Sequence, residues 1–282
     1  MVAKTILITG ATAGIGKATS FKLAELGHHL ILLSRNKNKL KDTREEIQAK
    51  IPNAQVEIIE CDLSSQKSIR KSAEIIKQHF PVIDVLINNA GINTDQHELT
   101  EDGIEKTFAV NHLAYFLLTG LLLDNIKISK QARIINVSSN GHRCVDLDLE
   151  KIKNNEYKGR YPTYRRSKLA NVMFTIDLAE KLKDSDVRVN CLHPGLINTN
   201  IGMEDQSFVR RLVNNYKKRF AGSPKKGAGT IVYLATSAQV RNITGKYFVN
   251  RKIQRYSKKA DNVTVRNSLW KLSEQLTGFS YP

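Results

Sequence analysis

The stretch Thr5-Ile-Leu-Ile-Thr-Gly10-Ala-Thr-Ala-Gly14-Ile-Gly16-Lys17 decides the fold, because it joins a short apolar strand to a helix through a glycine-rich turn. Small residues in the turn allow the backbone to come close to a pyrophosphate, and the N-terminus of the next helix supplies N–H donors and positive potential. Glycine alone is weak evidence, since any tight turn favours it. The strand before, the helix after and the surrounding βαβ pattern together predict a dinucleotide-binding loop.

Strands and helices continue to alternate along the chain. Short apolar runs predict strands at Thr5–Thr9, Leu30–Leu33, Val56–Ile59, Ile83–Ile87, Arg133–Val137 and Val187–Leu192, with another near Lys246–Val249. Amphipathic stretches predict helices at Ile15–Leu26, Lys37–Lys50, Gln66–His79, Ile104–Leu123, Tyr164–Leu182 and Val263–Leu276. Such alternation forms right-handed βαβ units. We therefore predict the α/β class, with a single doubly wound parallel sheet (Rossmann-type, about seven strands), helices on both faces and one domain over residues 1–282.

The positive charge of the chain is concentrated in one segment. The 282 residues contain 44 Lys and Arg against 27 Asp and Glu, a formal charge of +17. Residues 206–260 contain 14 basic residues and no acidic one, which leaves 17 less 14, or +3, for the rest of the chain. A local basic surface is typical of contact with nucleic acid, an anionic membrane or an acidic ligand, and composition does not choose among them.

Cysteine, histidine and hydropathy patterns narrow the class of protein. Three widely spaced cysteines without a CxxC pair predict a reducing compartment, with neither a disulfide framework nor a zinc site. We expect no metal, since the histidine spacings match no metal site, and we expect surface positions for His28, His29, His79, His97 and His142. No run of about 18 apolar residues and no signal-peptide pattern is present. A cytoplasmic protein is expected, in peripheral contact with the cytosolic face of a membrane if the basic segment binds one.

The end of the second predicted strand indicates which nicotinamide cofactor is preferred. This strand ends in Leu33-Ser34-Arg35. An acidic residue at such a strand end usually holds a free ribose 2′-OH, whereas an arginine accommodates a 2′-phosphate. The sequence has the arginine and lacks the acid, which favours NADP(H) over NAD(H). The alternative is that Arg35 is an ordinary solvated charge.

A phenol and an ammonium group are placed for proton transfer. Tyr164 and Lys168 lie four residues apart on one face of a predicted helix. A neighbouring cation favours phenolate and brings tyrosine closer to useful proton transfer. Taken alone, the pair is weak evidence, because a surface tyrosine beside a solvated lysine is common. Further polar residues fall at strand ends or in adjoining helices, where open α/β sheets bind ligands. They are Asn88, Asn89, Asn111, Ser138, Ser139, His193 and Thr199.

With these motifs the chain resembles the short-chain dehydrogenase/reductase family. The shared elements are the Thr-Gly-x-x-x-Gly-x-Gly loop, Asn-Asn-Ala-Gly, a serine, Tyr-x-x-x-Lys and Pro-Gly. More narrowly, the chain resembles the NADP-preferring retinol dehydrogenase group. That similarity lies in Ser34-Arg35-Asn36, Val110-Asn111-His112-Leu113, Val137-Ser-Ser139, Ser167-Lys-Leu-Ala-Asn171 and Ser268-Leu-Trp-Lys-Leu-Ser273.

The resemblance implies a role for each matching residue. Tyr164 is then the general acid in carbonyl reduction and the general base in alcohol oxidation, and Lys168 holds the nicotinamide ribose and lowers the pKa of Tyr164. Ser139, with Ser138 as the competing candidate, donates a hydrogen bond to the substrate oxygen. Asn111 holds a water in a proton relay to Lys168. The implied cofactor-binding residues are Gly10, Thr12, Gly14, Ile15, Gly16, Arg35, Asp62, Leu63, Asn89, Ala90, Gly91, Tyr164, Lys168, Pro194, Gly195, Ile197 and Thr199.

Three segments are expected on the substrate side: an insertion at residues 140–163, a basic lid at about 200–225 and a C-terminal extension at about 250–282. Within the lid, Ser207–Phe220 predicts a helix with an apolar stripe on one face and basic residues on the other. This stripe either only covers the active site or also docks on an anionic membrane. We do not expect nucleic acid as the partner, because the nearby Tyr233 and Phe248 fall in patterns of a core helix and strand.

We therefore predict an NADP(H)-dependent oxidoreductase that interconverts a carbonyl and an alcohol on a small apolar substrate, with retinal or retinol first. Other lipid aldehydes, steroids and xenobiotic carbonyls are the alternative substrates. The alternative from another class is a catalytically idle dinucleotide-binding scaffold. The resemblance also implies a homodimer that pairs through the helices at Ile104–Leu123 and Tyr164–Leu182.

Overall fold

One sheet organises the molecule. The structure, a computed structural model, describes residues 2–94, 96–156, 159–195 and 223–282. The strands are β1 (Thr5–Thr9), β2 (His29–Ser34), β3 (Val56–Glu60), β4 (Val85–Asn88), β5 (Arg133–Val137), β6 (Arg188–His193), β7 (Tyr247–Val249) and β8 (Lys252–Gln254). They are ordered β3-β2-β1-β4-β5-β6-β7-β8, and only the β7–β8 pair is antiparallel. The doubly wound α/β prediction is confirmed.

Helices cover both faces of this sheet. They are α1 (Gly14–Glu25), α2 (Lys37–Lys50), α3 (Gln66–His79), α4 (Lys106–Phe108), α5 (Ala114–Leu121), α6 (Leu123–Lys127), α7 (Leu149–Lys153), α8 (Arg160–Lys181), α9 (Pro224–Thr236) and α10 (Val263–Thr277). A π-turn at Ala109–Leu113 lies between α4 and α5, and a 3₁₀ turn at Asn140–Cys144 follows β5. The strands β4 and β5 in the middle of the sheet are buried along their whole length because helices cover both of their faces.

The direction of winding reverses between β1 and β4, which are neighbours in the sheet. Parallel strands place all their carboxyl ends at one edge, and in open α/β sheets ligands bind outside that edge at such a reversal. The glycine loop follows β1, Asn89 follows β4, and Ser138 follows β5. The topology therefore gathers the predicted site residues along a single edge.

Two details of the sequence-based prediction are wrong. The sheet has an eighth strand, β8, because the left-handed residues Asn250 (φ 50°) and Arg251 (φ 64°) turn the chain back antiparallel on β7. The helix expected at Ile104–Leu123 is instead divided into α4, the π-turn and α5. π-turns of this kind often occur at functional sites.

The end of the chain covers α5. Tyr281 donates a hydrogen bond from its hydroxyl to the carbonyl of Phe116 at 2.7 Å, and its ring meets that of Phe116 edge to face. A Cβ added at Gly120 would lie 2.2 Å from the Phe279 ring, so a larger residue at this position would force the ring to move. Part of the α5 surface that the resemblance assigns to dimer pairing is thus occupied by the chain's own C-terminus, and the homodimer stays a prediction.

Candidate active site

The glycine loop is shaped by close backbone packing against the loop after β4. Gly10 has φ +67°, and a Cβ on it would lie 2.8 Å from the Cα of Ala90. A Cβ on Gly16 would lie 2.1 Å from the carbonyl oxygen of Gly10. Asn89 strengthens the contact by donating its side-chain N–H to the carbonyl of Thr9 at 2.9 Å. Larger residues would fill this cradle, which therefore fits the close backbone approach that a pyrophosphate needs.

The start of α1 faces the same edge. Its N-cap, Ala13, makes no side-chain capping hydrogen bond, and the first turn contains no acidic residue. The first backbone N–H groups of a helix have no partners within it, so this end can donate to an anion. Gly14 and Ile15 begin the helix, and Thr12 shares a hydrogen bond with the hydroxyl of Ser34 at 3.2 Å. The loop is thereby joined to the end of β2.

Arg35 and Asp62 lie at the ends of β2 and β3. Arg35 is exposed, and none of the ion pairs found among the described residues includes it. Asp62 accepts hydrogen bonds from the backbone N–H and the hydroxyl of Ser64, at 2.9 and 2.7 Å. Leu63 packs against the core beside it. No carboxylate follows β2, so the arrangement fits a 2′-phosphate better than a free 2′-OH.

The structure brings Ser139, Tyr164 and Lys168 together. The hydroxyl of Ser139 interacts with the phenol of Tyr164 and favours its ionised form, and the Lys168 Nζ lies 5.5 Å from the centroid of the Tyr164 ring. The Lys168 Nζ also donates to the carbonyl of Val137 at 3.0 Å. The neighbouring Ser138 is buried and donates its hydroxyl to the carbonyl of Lys168 at 2.8 Å. Ser138 thus holds α8 against β5, while Ser139 faces the phenol.

Burial has the largest effect on the protonation of Tyr164 and Lys168. It lowers the pKa of Lys168 to about 7, because a buried ammonium loses hydration. It also raises the pKa of Tyr164 above its ordinary value, although the Ser139 hydroxyl acts in the opposite direction. The lowering by Lys168 that the resemblance implies stays a prediction. At neutral pH Tyr164 is protonated, the form that donates a proton to a carbonyl.

Asn111 lies within the π-turn, with its side chain held by protein groups. Its amide donates to the carbonyl of Ile92 at 2.9 Å and to the hydroxyl of Ser167 at 3.0 Å, and its Oδ1 accepts from the N–H of Ile92 at 2.8 Å. A Cβ on Gly91 would lie 3.3 Å from this Oδ1 and 3.4 Å from the Lys168 Nζ. Asn111 and Lys168 therefore approach the same backbone position, and the water relay stays a prediction.

A polar network behind Asn111 was missed by the sequence reasoning. Asn171 donates to the Asn111 carbonyl at 2.8 Å, and its Oδ1 lies 3.2 Å from the Nδ1 of His112. The His112 Nε2 lies 3.1 Å from the hydroxyl of Ser273 on α10. Burial lowers the pKa of His112 to about 4. Asn171, His112 and Ser273 all lie in stretches that carry the retinol dehydrogenase resemblance, which was the available clue.

The expected surface positions are wrong for two histidines. His28 is 2% exposed and His142 is fully buried. His142 is buried because its turn folds back on Ser139 and under the C-terminal segment. Within the described ranges, no three His, Cys, Asp or Glu side chains are placed to hold a metal ion.

The far side of the predicted cofactor site is described only in part. Pro194 and Gly195 directly follow β6, and Gly195 has φ 97°. Ile197, Thr199 and nearly all of the predicted lid lie outside the described residues. In the part of the chain that the structure covers, no helix is both long and apolar enough to cross a bilayer.

Comparisons with known proteins agree with this geometry. The sequence model of the short chain dehydrogenase family matches residues 4–209. Retinol dehydrogenase 14 of Mus musculus is 37% identical over 290 residues, which cover 99% of this chain and 87% of that protein. A solved structure of a putative uncharacterized protein from Mycobacterium Paratuberculosis has a TM-score of 0.79 and 30% identity, with 99% of this chain and 95% of that one covered.

A second solved structure is YwfH, an NADPH dependent reductase involved in bacilysin biosynthesis. It has a TM-score of 0.71 and 25% identity, and the match covers 88% of this chain and 96% of that one. The family model spans most of the chain, and the glycine loop, Ser139, Tyr164 and Lys168 lie where the fold binds ligands. The chain therefore belongs to the short-chain dehydrogenase/reductase family of oxidoreductases and is retinol dehydrogenase-like within it.

Proposed function

We propose that the protein is an NADP(H)-dependent oxidoreductase that interconverts a carbonyl and an alcohol on an apolar substrate. The observation that carries the proposal is the juxtaposition of three groups: the Ser139 hydroxyl acts on the Tyr164 phenol, and the Lys168 Nζ lies 5.5 Å from the centroid of the phenol ring. A protonated phenol beside a second hydroxyl donor is the arrangement that carbonyl reduction needs.

Each side chain has a distinct task in this mechanism. The nicotinamide cofactor, when bound, supplies or accepts the hydride. Ser139 donates a hydrogen bond to the substrate oxygen, and Tyr164 transfers its phenolic proton to that oxygen as negative charge develops there. In its charged form Lys168 stabilises the phenolate that is left, because its Nζ lies over the ring. In alcohol oxidation Tyr164 takes the proton back.

The choice of NADP(H) rests on Arg35. Its guanidinium is exposed at the end of β2, where no carboxylate is present to hold a ribose 2′-OH. The similarity to an NADPH dependent reductase supports this choice. Arg35→Gln should weaken NADPH binding by about 10-fold or more, because a charge-assisted hydrogen bond to phosphate is lost, and should leave NADH binding unchanged. Cofactor titration by fluorescence measures both constants. Tighter binding of NADH than NADPH to the wild-type chain would contradict the proposal.

The substrate class rests on similarity to proteins named retinol dehydrogenase. We place retinal and retinol first, and other lipid aldehydes, steroids and xenobiotic carbonyls as the alternatives. An NADPH-oxidation screen over retinal, medium-chain aldehydes, steroids and quinones separates them. The idle-scaffold alternative predicts NADPH binding with no turnover of any of these compounds.

A peripheral contact with an anionic membrane is our second proposal, supported by the basic residues that the structure describes. Arg251, Lys252 and Arg255 are exposed on and beside the edge strand β8, and Ile253 between them is 50% exposed. Basic side chains around an exposed apolar one are suited to an anionic lipid surface. Co-sedimentation with phosphatidylserine vesicles at low salt tests the contact, and absence of binding would exclude it.

A further inference from the structure

His142 is a buried link between the proposed catalytic serine and the C-terminal segment. It lies in the 3₁₀ turn that follows Ser139, and its side chain is fully buried. Its Nδ1 is 2.6 Å from the carbonyl oxygen of Ser139. Its Nε2 is 3.0 Å from the backbone N–H of Ser257, which lies 115 residues further along the chain.

These two partners fix the tautomer of His142. A carbonyl oxygen only accepts, so the hydrogen must be on Nδ1. A backbone N–H only donates, so Nε2 must present its lone pair to Ser257. An imidazolium would place its Nε2–H against the N–H of Ser257. The ring is therefore held neutral and in one orientation.

The surroundings of His142 also favour its neutral form. Burial lowers the pKa of His142, and the nearby guanidinium of Arg143 lowers it further. Two other titratable groups face the ring: His193, whose own pKa is lowered by burial and by His142, and Tyr247, which meets it edge to face at 4.9 Å. Burial and Arg143 thus favour the neutral imidazole, and the Ser139 carbonyl acts in the opposite direction.

The hydrogen bond to the Ser139 carbonyl bears on the orientation of the Ser139 side chain. Ser139 is extended, with φ −155° and ψ 152°, and its Oγ accepts from the N–H of Gly141 at 3.2 Å. With that lone pair engaged, the hydroxyl hydrogen is available for the Tyr164 side. A rotation of the backbone at Ser139 would move the Oγ away from the phenol.

The C-terminal segment is attached to the same turn by further contacts. The guanidinium of Arg143 donates to the carbonyl of Arg255, and Lys259 pairs with Asp146 at 2.8 Å. Ser257 therefore belongs to a segment that is held against the insertion at several points, and its N–H is fixed relative to His142.

We propose that His142 is a positioning residue for this enzyme: its Nδ1–H holds the Ser139 carbonyl, and the Ser257 N–H on its other side keeps the ring in the orientation that aligns the Ser139 hydroxyl with Tyr164. This inference rests on the proposed function, because it assigns His142 to the same site.

Two amide variants separate the two hydrogen bonds. In His142→Asn the side-chain N–H₂ occupies the place of Nδ1 and still donates to Ser139. In His142→Gln the amide reaches the place of Nε2 and leaves the Ser139 carbonyl unheld. We expect His142→Asn to keep kcat within about 3-fold of wild type, and His142→Gln to lower it by about 10- to 100-fold, the range for a small misplacement of a catalytic group. The KM for NADPH should stay the same in both.

The outcomes are distinct. Wild-type kcat in His142→Gln, or an equal loss in both variants, contradicts the positioning role. If His142→Gln does not fold, as judged by NADPH binding and thermal unfolding, His142→Asn decides: retained kcat supports the role and lost kcat overturns it. If the wild-type chain itself turns over no carbonyl substrate with NADPH, it is the proposed function that fails.

A backbone variant tests the Ser257 side of the link. Ser257 has φ −64°, which proline also adopts, so Ser257→Pro removes the N–H with little change of backbone angle. Ser257→Ala is the matched control, since it keeps the N–H and loses only the hydroxyl. Without the opposing N–H, the NMR titration midpoint of His142 should rise by about one pH unit in Ser257→Pro relative to Ser257→Ala. Equal midpoints would show that the Ser257 N–H does not control the ring.

Discussion

His112 makes the stability of the fold depend on pH, and a single substitution at this residue can measure its contribution. It is 1% exposed, between the Asn171 amide and the Ser273 hydroxyl, and its pKa is lowered to about 4, first by loss of hydration and then by the charge of Lys168. In the unfolded chain its pKa returns to about 6.5. Between these values the unfolded state binds the proton and the folded state does not, so stability is lost as the pH falls from 6.5 towards 4.

The magnitude follows from these two pKa values. Between pH 7 and pH 5, a shift from about 6.5 to about 4 lowers the free energy of unfolding by about 2 kcal/mol. His193, whose pKa is also lowered to about 4, adds a similar loss in the same window. His112→Asn removes one of these two contributions while its amide can still donate to Asn171. The variant should be less stable than wild type at pH 7 by about 1–3 kcal/mol, because a buried hydrogen bond to Ser273 is lost, and the gap should narrow by about 2 kcal/mol at pH 5.

Urea unfolding at pH 7, 6 and 5 measures this difference. The single tryptophan, Trp270, is buried on α10 against Phe116 and Phe174, so its fluorescence reports whether that helix is docked. His79→Asn, at an exposed ring on α3, controls for the removal of a histidine as such. An equal difference in unfolding free energy between wild type and His112→Asn at pH 7 and pH 5 would show that His112 does not cause the pH dependence.

Two further substitutions test the packing and the site. Gly120→Ala should destabilise the fold by about 1–3 kcal/mol through overpacking, since the new Cβ would lie 2.2 Å from Phe279. Thermal unfolding should show partial recovery in the double variant with Phe279→Ala, and an unchanged melting temperature in Gly120→Ala would contradict the packing. Ser139→Ala should lower kcat by about 100-fold or more, the usual effect of removing one donor to a developing oxyanion. Ser138→Ala should chiefly lower the melting temperature, because its hydroxyl donates to the Lys168 carbonyl. A loss of kcat in Ser138→Ala with a loss of stability alone in Ser139→Ala would show that Ser138 is the catalytic serine.

Most of the fold follows from local sequence pattern. The strand bounds at Thr5–Thr9 and Arg133–Val137 agree with the prediction, because each strand is buried on both faces and is bounded by turn residues or charge. The strand β8 was missed for the opposite reason. All three of its residues are exposed, so it has no apolar face to detect. The π-turn was missed because Ile104–Leu123 reads as one long helix rich in apolar residues, and hydropathy does not reveal where the backbone hydrogen bonds shift by one residue.

The sequence likewise predicted only part of the candidate site. Tyr164, Lys168 and the glycine loop stand out because their spacing along the chain reflects one helix and one turn. His112 and His142 do not, since their partners Ser273 and Ser257 are 161 and 115 residues away. The spacing of Tyr164 and Lys168 also does not show how deeply both groups are buried, which raises the pKa of Tyr164 and lowers that of Lys168.

In the proposed function, Tyr164 transfers the proton in an NADPH-dependent carbonyl reduction. The direct measurement is NADPH oxidation by Tyr164→Phe with the best substrate from the screen, together with NADPH binding by the same variant. We expect kcat to fall by about 100- to 10,000-fold, the contribution of a general acid. The NADPH dissociation constant should change by less than about 3-fold, because the phenyl ring that remains fills the same space. Turnover at the wild-type rate in Tyr164→Phe would contradict the proposed proton transfer.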